Sequence, residues 1–178
     1  MDSETGISIM KIEPELDSGP VMLQSKIKIH PNFNCEELSK EMSKIGAKLI
    51  LDALELIEKN TAKFIPQNRS GITYAKKIEK NEAKINWGED ARKIIAKINA
   101  FTPHPGCWFE LDGSRIKIIK AKEILCEGKS GMVLDEKLTI GCLKNAVQIL
   151  EIKKEGRQKM TTKEFLKGNK VKIGQNLN

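Results

Sequence analysis

The first sixty residues carry two alternating apolar stretches followed by one long helical stripe. Residues 6–13 and 21–29 place apolar side chains largely at every second position, which is typical of strands. Residues 35–59 repeat apolar positions at helical spacing, and Asn34 stands three residues before Glu37, the pattern of a capping box. We therefore predict two strands and a helix. The helix should bury its stripe in the core: Leu38, Met42, Ile45, Leu49, Ala53, Leu54 and Ile57.

Residues 61–80 lack any clear period and contain Pro66 and Gly71, so they predict a linker. The charge balance also changes sign there. Residues 1–60 hold 7 basic and 11 acidic side chains, net −4, whereas residues 61–178 hold 24 basic and 13 acidic ones, net +11. The sequence therefore predicts two regions with different electrostatic partners. For the basic region we expect a polyanion, most commonly a nucleic acid.

The second half begins with a helical period in residues 87–101 and then changes to short alternating segments. Thr161 stands three residues before Glu164, which predicts a final helix that ends near Gly168. Asn145 occupies a turn position where its tolerance of positive φ is useful. Five short antiparallel strands favour a small β-barrel resembling an oligonucleotide-binding (OB) fold, with flanking helices. The predicted strands are CWFEL, SRIKIIKAKEI, GMVLD, KLTIGC and AVQILEI.

Several classes of protein are disfavoured by composition. The apolar runs are too short for a membrane span and no signal peptide is visible, so we expect a cytoplasmic protein that does not meet a membrane. The four cysteines form no C-x-x-C pair and only two histidines are present, so we expect reduced thiols and no metal. We expect Trp87 and Trp108 in the core, although RNA stacking is the open alternative for both.

The stretch ELDSGPV places Asp17 in a turn between Pro14 and Pro20. From spacing alone, Asp17 is an ordinary turn residue, because Asp is common in turns bracketed by Pro and Gly.

Four stretches in order resemble the later part of methionyl-tRNA formyltransferase, over roughly residues 2–168. They are ETGISIMKIEPELDSGPVM, TYAKKIEKNEAKINW, INAFTPHPGCWFELDGSRIKIIKA and EGRQKMTTKEFLKG. The resemblance implies that residues 1–60 are the C-terminal end of a doubly wound α/β catalytic domain. Residues 61–80 would be the linker, and residues 81–178 an OB-like tRNA-binding domain.

The resemblance also implies a site. Asp17 matches the catalytic Asp of the family's L-D-x-G turn, and Glu15 and Leu16 would border the folate beside it. The family's N-x-H motif and S-L-L-P segment have no counterpart in this sequence. We therefore expect little or no activity from this chain alone. The implied formyl donor is 10-formyltetrahydrofolate, and the implied acceptor is initiator methionyl-tRNA.

Basic residues around the linker, on the predicted strands and near the final helix are candidates for tRNA contacts, with an ordinary solvated surface as the alternative. We expect a monomer, and a separate N-terminal segment that completes it stays open. The candidates are Arg69, Lys76, Lys77, Lys80, Lys84, Arg115, Lys117, Arg157, Lys159 and Lys163.

Two other functions stay open. One is a relative that formylates the amino group of a sugar nucleotide, and the other is a non-catalytic basic barrel that binds RNA. The basic second half and the KMTTKEFLKG ending favour the tRNA enzyme over the sugar enzyme.

Overall fold

The computed structural model describes residues 1–177 and divides the chain into two compact units, Met1–Lys77 and Ile78–Asn178. The first unit contains strands β1 (Glu4–Met10) and β2 (Val21–Lys28), followed by helix α1 (Cys35–Glu58). The two strands pair antiparallel, and α1 packs against both. The predicted strands and helix are therefore confirmed.

The N-terminus of α1 forms the capping box that its sequence predicts. The Asn34 side chain accepts the Glu37 backbone N–H at 2.9 Å, and the Glu37 carboxylate accepts the Asn34 N–H at 3.0 Å. These two bonds satisfy backbone donors that the first helical turn otherwise leaves unpaired.

The apolar stripe of α1 is only partly buried, which corrects one sequence expectation. Ala53 is the one side chain of the helix that is fully buried. Leu54 and Ile57, predicted to lie in the core, remain 54% and 49% exposed. A two-stranded sheet is too narrow to cover the whole width of a long amphipathic helix, so the far side of the stripe stays open.

The chain that follows α1 returns to the strands. Ile65 and Val21 exchange backbone hydrogen bonds at 2.8 Å in both directions. Part of the segment expected to be a linker is thus attached to the first unit, which extends to Lys77.

The second unit is a five-stranded antiparallel sheet with helices. The elements are a short 3₁₀ helix (Lys80–Ala83), α2 (Ala91–Phe101), β3 (Trp108–Leu111), β4 (Ser114–Ile124), β5 (Thr139–Gly141), β6 (Ala146–Lys154), β7 (Lys159–Thr161) and α3 (Thr162–Gly168). The strand order in the sheet is β3-β4-β6-β5, and β7 pairs with the same edge of β6 as β5 does.

The small OB-like barrel predicted from the sequence is not confirmed, because the sheet in residues 1–177 does not close. The segment GMVLD, predicted to be a strand, makes only isolated bridges at Met132 and Val133. Val133 N–H donates to the Gln175 carbonyl at 2.9 Å, and the Met132 carbonyl accepts the Gly141 N–H at 2.9 Å. The segment divides its backbone bonds between β5 and the C-terminal tail, so no continuous ladder forms. Strand β7, by contrast, was not predicted.

One contiguous apolar cluster fills the second unit. Trp87 and Phe109 are both 1% exposed and meet edge to face, with ring centroids 6.1 Å apart. The Trp87 indole N–H donates to the Leu177 carbonyl at 3.1 Å, which attaches the C-terminal tail to the core. The core position predicted for Trp87 is confirmed, as is the capping box between Thr161 and Glu164. Among the described residues, no helix combines the length and apolarity needed to cross a membrane.

Candidate functional site

The stretch 11–20 forms a tight connection between β1 and β2. Asp17 adopts a left-handed backbone conformation, with φ 52°. Gly19 is buried where the chain passes close to itself, since a Cβ there would lie 1.8 Å from the Lys11 carbonyl oxygen. The Lys11 N–H donates to the Pro20 carbonyl at 3.1 Å. Only glycine fits at position 19 without moving the backbone of the turn.

Gln67, near the C-terminal end of the first unit, holds this turn through its side chain. Its side-chain amide nitrogen donates to the carbonyls of Asp17 at 2.8 Å and Gly19 at 2.7 Å, and lies 3.8 Å from the Met10 sulfur. The Ser18 hydroxyl adds a bond to the Glu15 carbonyl at 3.0 Å. The sequence analysis missed Gln67, because no local pattern signals a contact with residues about fifty positions earlier.

Within the turn, backbone carbonyls accept the hydrogen bonds from the Gln67 amide and the Ser18 hydroxyl, and the acidic side chain at the tip takes part in none of them. The Asp17 carboxylate is exposed and has no hydrogen bond or ion pair with any other residue of the described range. Glu15 and Leu16 are also exposed, Leu16 to 70%. The braced turn therefore presents a carboxylate and a neighbouring apolar side chain to solvent. This pair can accept a hydrogen bond or proton while contacting a flat apolar group.

His30 does not complete this site. Its Nδ1 accepts the Asn32 N–H at 3.3 Å, and its ring lies beside Phe33 at a centroid distance of 5.4 Å. Among the described residues of the first unit, Asp17 therefore has no imidazole partner.

The basic candidates are divided between the two units. Arg69, Lys76 and Lys77 are exposed in the irregular end of the first unit. The other seven belong to the second unit, where the 3₁₀ helix and its C-cap, β4, the β6–β7 turn, β7 and α3 carry them: Lys80, Lys84, Arg115, Lys117, Arg157, Lys159 and Lys163.

Buried and exposed side chains alternate along the first half of strand β4. Ile116 and Ile118 are buried, whereas Arg115 is exposed and Lys117 is half-buried on the opposite face. The Arg115 guanidinium lies 4.4 Å from the centre of the Trp108 ring, and the Lys84 ammonium lies 5.8 Å from it. Lys117 donates to the Pro105 carbonyl at 2.8 Å. Trp108 is only half-buried, so the expectation that it packs in the core is wrong.

The two buried cysteines of the second unit, Cys107 and Cys142, are not suited to nucleophilic chemistry. Burial raises the pKa of both the Cys107 and Cys142 thiols to about 11, so both stay protonated at neutral pH. Residues 1–177 contain no cluster of three side chains that could hold a metal ion.

The chain carries an acidic turn in its first unit and most of its basic residues in the unit that follows in sequence, and family models assign both regions to a transferase of the formyltransferase type. The family model described as "Formyl transferase" matches residues 1–54, and the model described as "Formyl transferase, C-terminal domain" matches residues 77–170. The chain belongs to the formyl transferase family.

Several curated relatives of the chain carry the name methionyl-tRNA formyltransferase. The chain is 34% identical over 177 residues to the methionyl-tRNA formyltransferase of Bradyrhizobium diazoefficiens, covering 97% of this chain and 57% of the relative. It is 37% identical over 174 residues to the methionyl-tRNA formyltransferase of Brucella anthropi, covering 96% of this chain and 57% of the relative. The chain thus spans little more than half the length of these relatives.

Solved structures share the fold at lower identity. HypX from Aquifex aeolicus in complex with tetrahydrofolic acid matches 98% of this chain and 34% of its own, with a TM-score of 0.70 and 23% identity. An N-formyltransferase from Helicobacter canadensis in complex with folinic acid and dTDP-3-aminofucose matches 83% and 56%, with a TM-score of 0.67 and 22% identity. At these identities the comparison shows the fold alone.

Proposed function

We propose that this chain is the later part of a methionyl-tRNA formyltransferase. The reaction would move the formyl group of 10-formyltetrahydrofolate to the α-amine of initiator methionyl-tRNA. The observation that carries the proposal is the 34–37% identity to proteins of that name across nearly the whole chain, both units included. The folate compounds bound by two structural neighbours support a folate-derived formyl donor.

The chemistry assigns a limited role to Asp17. The amine nitrogen attacks the formyl carbon, a new C–N bond forms, and the bond from that carbon to the folate nitrogen breaks. The amine loses one proton, and the departing folate nitrogen gains one. The Asp17 carboxylate would accept a hydrogen bond from the amine and help to move its proton. Donors for the developing oxyanion would come from an Asn and a His that this sequence lacks in the required motif.

The bracing of the turn supports this role, because catalysis gains from groups that are already in position. Gln67 holds the carbonyls on both sides of Ser18, so the backbone that carries Asp17 is restrained although its side chain is free. Leu16 and Glu15 would lie along the folate beside it.

The charge of the second half supports a polyanionic acceptor, since residues 61–178 carry a net charge of +11 from 24 basic and 13 acidic residues. A sugar-nucleotide substrate offers far fewer phosphates. The open side of α1 would be covered by the rest of the catalytic domain in a longer protein. That side exposes Ile50, Leu51, Leu54 and Ile57.

A fusion tests the proposal. The part of the Brucella anthropi relative that precedes the matched region would be joined in front of Met1, and formyl transfer to methionyl-tRNA measured with 10-formyltetrahydrofolate. We expect transfer by the fusion and little by the chain alone. Asp17→Asn should lower the rate of the fusion by about 100-fold or more. The matched control is Asp112→Asn, because Asp112 is also an exposed Asp in a left-handed turn, with φ 49°.

Each part of the proposal has its own contrary result. Full activity of Asp17→Asn would remove Asp17 from the chemistry. Transfer to a dTDP-amino sugar, with none to methionyl-tRNA, would replace the tRNA enzyme with the sugar-modifying alternative.

A further inference from the structure

One row of side chains crosses the sheet of the second unit from edge to edge. Directly opposite partners in neighbouring strands project from the same face of a sheet. The pairs Lys84–Trp108, Trp108–Lys117, Lys117–Lys153 and Lys153–Lys159 are each directly opposite in register. We name this set the lysine row; its members are Lys84, Trp108, Lys117, Lys153 and Lys159.

The lysine row lies on the solvent side of the sheet. The residues next to it in sequence, Ile116, Ile118 and Ile152, are buried, whereas Lys84, Lys153 and Lys159 are exposed. With about 4.8 Å between neighbouring strands, four steps across the sheet extend about 19 Å. A length of that order accommodates several consecutive nucleotides.

The positive charges of the row are poorly compensated within the unit. Lys117 faces Lys153, and Lys153 faces Lys159, although like charges directly opposite each other destabilise a sheet. In the described part of the chain the Lys153 side chain has no hydrogen bond or ion pair, and the Lys117 ammonium donates to a carbonyl, not to a carboxylate. Lys159 meets Glu151 at 3.8 Å with its own side chain 70% exposed, which is a weak pair. A bound polyanion would relieve this repulsion.

Trp108 adds a second kind of recognition to the row. Arg115 lies opposite Glu110 in register but forms no ion pair with it in the described residues, and its guanidinium lies over the Trp108 ring. A half-exposed indole beside a guanidinium and ammonium groups is suited to unpaired nucleotides. Their bases stack on aromatic rings and guanidinium planes, while lysines contact the phosphates. Paired A-form RNA offers no free base face for such stacking.

We propose that the lysine row, with Arg115, binds an unpaired stretch of RNA and stacks a base in the Trp108–Arg115 region. This proposal rests on the proposed function in one respect, namely that the RNA belongs to the tRNA substrate. It adds the segment that is recognised and Lys153, which the sequence analysis did not select, and it takes for Trp108 the stacking role that the sequence analysis left open.

Equilibrium binding of the full chain to a single-stranded oligouridylate and to a tRNA transcript tests the charges. Lys153→Gln/Lys159→Gln is compared with Lys93→Gln/Lys129→Gln, which removes the same charge at exposed lysines of the second unit outside the row. The row variant should weaken binding of both probes and lower the slope of log K against log salt for the oligouridylate by about 1.4, or 0.7 per lost phosphate contact. The control variant should keep the slope of the unaltered chain.

Intrinsic fluorescence tests the stacking, because Trp87 is buried and Trp108 is half-exposed. The oligouridylate should quench the emission of the unaltered chain, whereas Trp108→Phe should lose that quenching while keeping the Trp87 signal of a folded unit. Equal loss of affinity in the row and control variants would overturn the lysine row. Absence of quenching at saturation would overturn the stacking. Binding to phosphatidylserine vesicles without binding to RNA would overturn the choice of partner.

The test separates this proposal from the proposed function. The binding assays contain no formyl donor, so a fusion that fails to formylate leaves their result unaffected. In the opposite case, an active fusion whose KM for methionyl-tRNA is unchanged by Lys153→Gln/Lys159→Gln would remove the row and keep the enzyme.

Discussion

The two units of the chain bury their apolar side chains to very different degrees. The second unit has one contiguous cluster that includes Trp87, Phe109 and Phe165, each 1% exposed. The first unit has a helix of 24 residues with one buried side chain, Ala53. Its Leu51 and Leu54 are 66% and 54% exposed.

Regular secondary structure can therefore form without a well-buried apolar core. Both units contain capped helices and antiparallel strands, but among the described residues only the second gathers its apolar side chains into a contiguous buried cluster. Stability should therefore come from burial in the second unit and from local bonds in the first.

The largest expected effect comes from matched helical substitutions. Ile98→Ala in α2 removes a side chain that is 0% exposed and should lower the free energy of unfolding by about 2–5 kcal/mol. Ile57→Ala in α1, at a side chain 49% exposed, should change it by less than about 0.5 kcal/mol. Urea unfolding followed by tryptophan fluorescence reports the second unit alone, since both tryptophans lie there, and far-UV circular dichroism adds α1. Equal losses at the two sites would refute the contrast in burial.

A smaller effect is expected where the first unit does pack closely. Gly19→Ala places a Cβ 1.8 Å from the Lys11 carbonyl, so the turn must move, at a cost of about 1–3 kcal/mol. Hydrogen exchange should rise in residues 11–20 and not in the second unit. Gly168→Ala is the control, because a Cβ there meets nothing within 4 Å. Unchanged exchange in the Gly19 variant would show that the turn is not braced.

The smallest effect is expected from removing the N-cap side chains of α1 and α3. Asn34→Ala and Thr161→Ala each remove an N-cap side chain and should cost about 1 kcal/mol locally. The Thr161 substitution should lower the midpoint reported by tryptophan fluorescence, whereas the Asn34 substitution should lower only the helical signal of α1. A shift of the fluorescence midpoint by Asn34→Ala would mean that the units unfold together.

The second cap should also depend on pH. Hydrogen bonds from the Thr161 side chain and backbone lower the pKa of Glu164 below its ordinary 4.5. The ionised carboxylate is favoured in the folded state, so its contribution is present above the ordinary pKa and is lost as pH falls through the lowered one. Thr161→Ala should return the pKa of Glu164 toward its ordinary value, which NMR titration of the carboxyl carbon measures.

Much of the secondary structure could be predicted from local signals. Alternation predicted β1, β2 and β4, capping boxes predicted the starts of α1 and α3, and Asn145 does adopt positive φ, at 62°. The wrong prediction of a strand at GMVLD has a tertiary cause. GMVLD looks like a strand, but its partners in the C-terminal tail decide its pairing, and the sequence shows no signal of those partners. The predicted OB-like barrel is not confirmed either, because the sheet of the described residues does not close.

The candidate site divides in the same way. Asp17, Glu15 and Leu16 were selected through the resemblance to the family, because spacing alone makes Asp17 an ordinary turn residue, and that selection stays a prediction. Gln67 could not be selected, because its role depends on side-chain bonds to carbonyls far away in the chain.

Local sequence patterns were enough to predict β1, β2, β4 and the starts of α1 and α3, the turn that carries the acidic residue, and the concentration of positive charge after residue 60, because these depend on neighbouring residues and composition. Only the tertiary structure decided that Lys84, Trp108, Lys117, Lys153 and Lys159 form one row. Strand register sets that row, and register depends on pairing between segments that the chain brings together only when it folds.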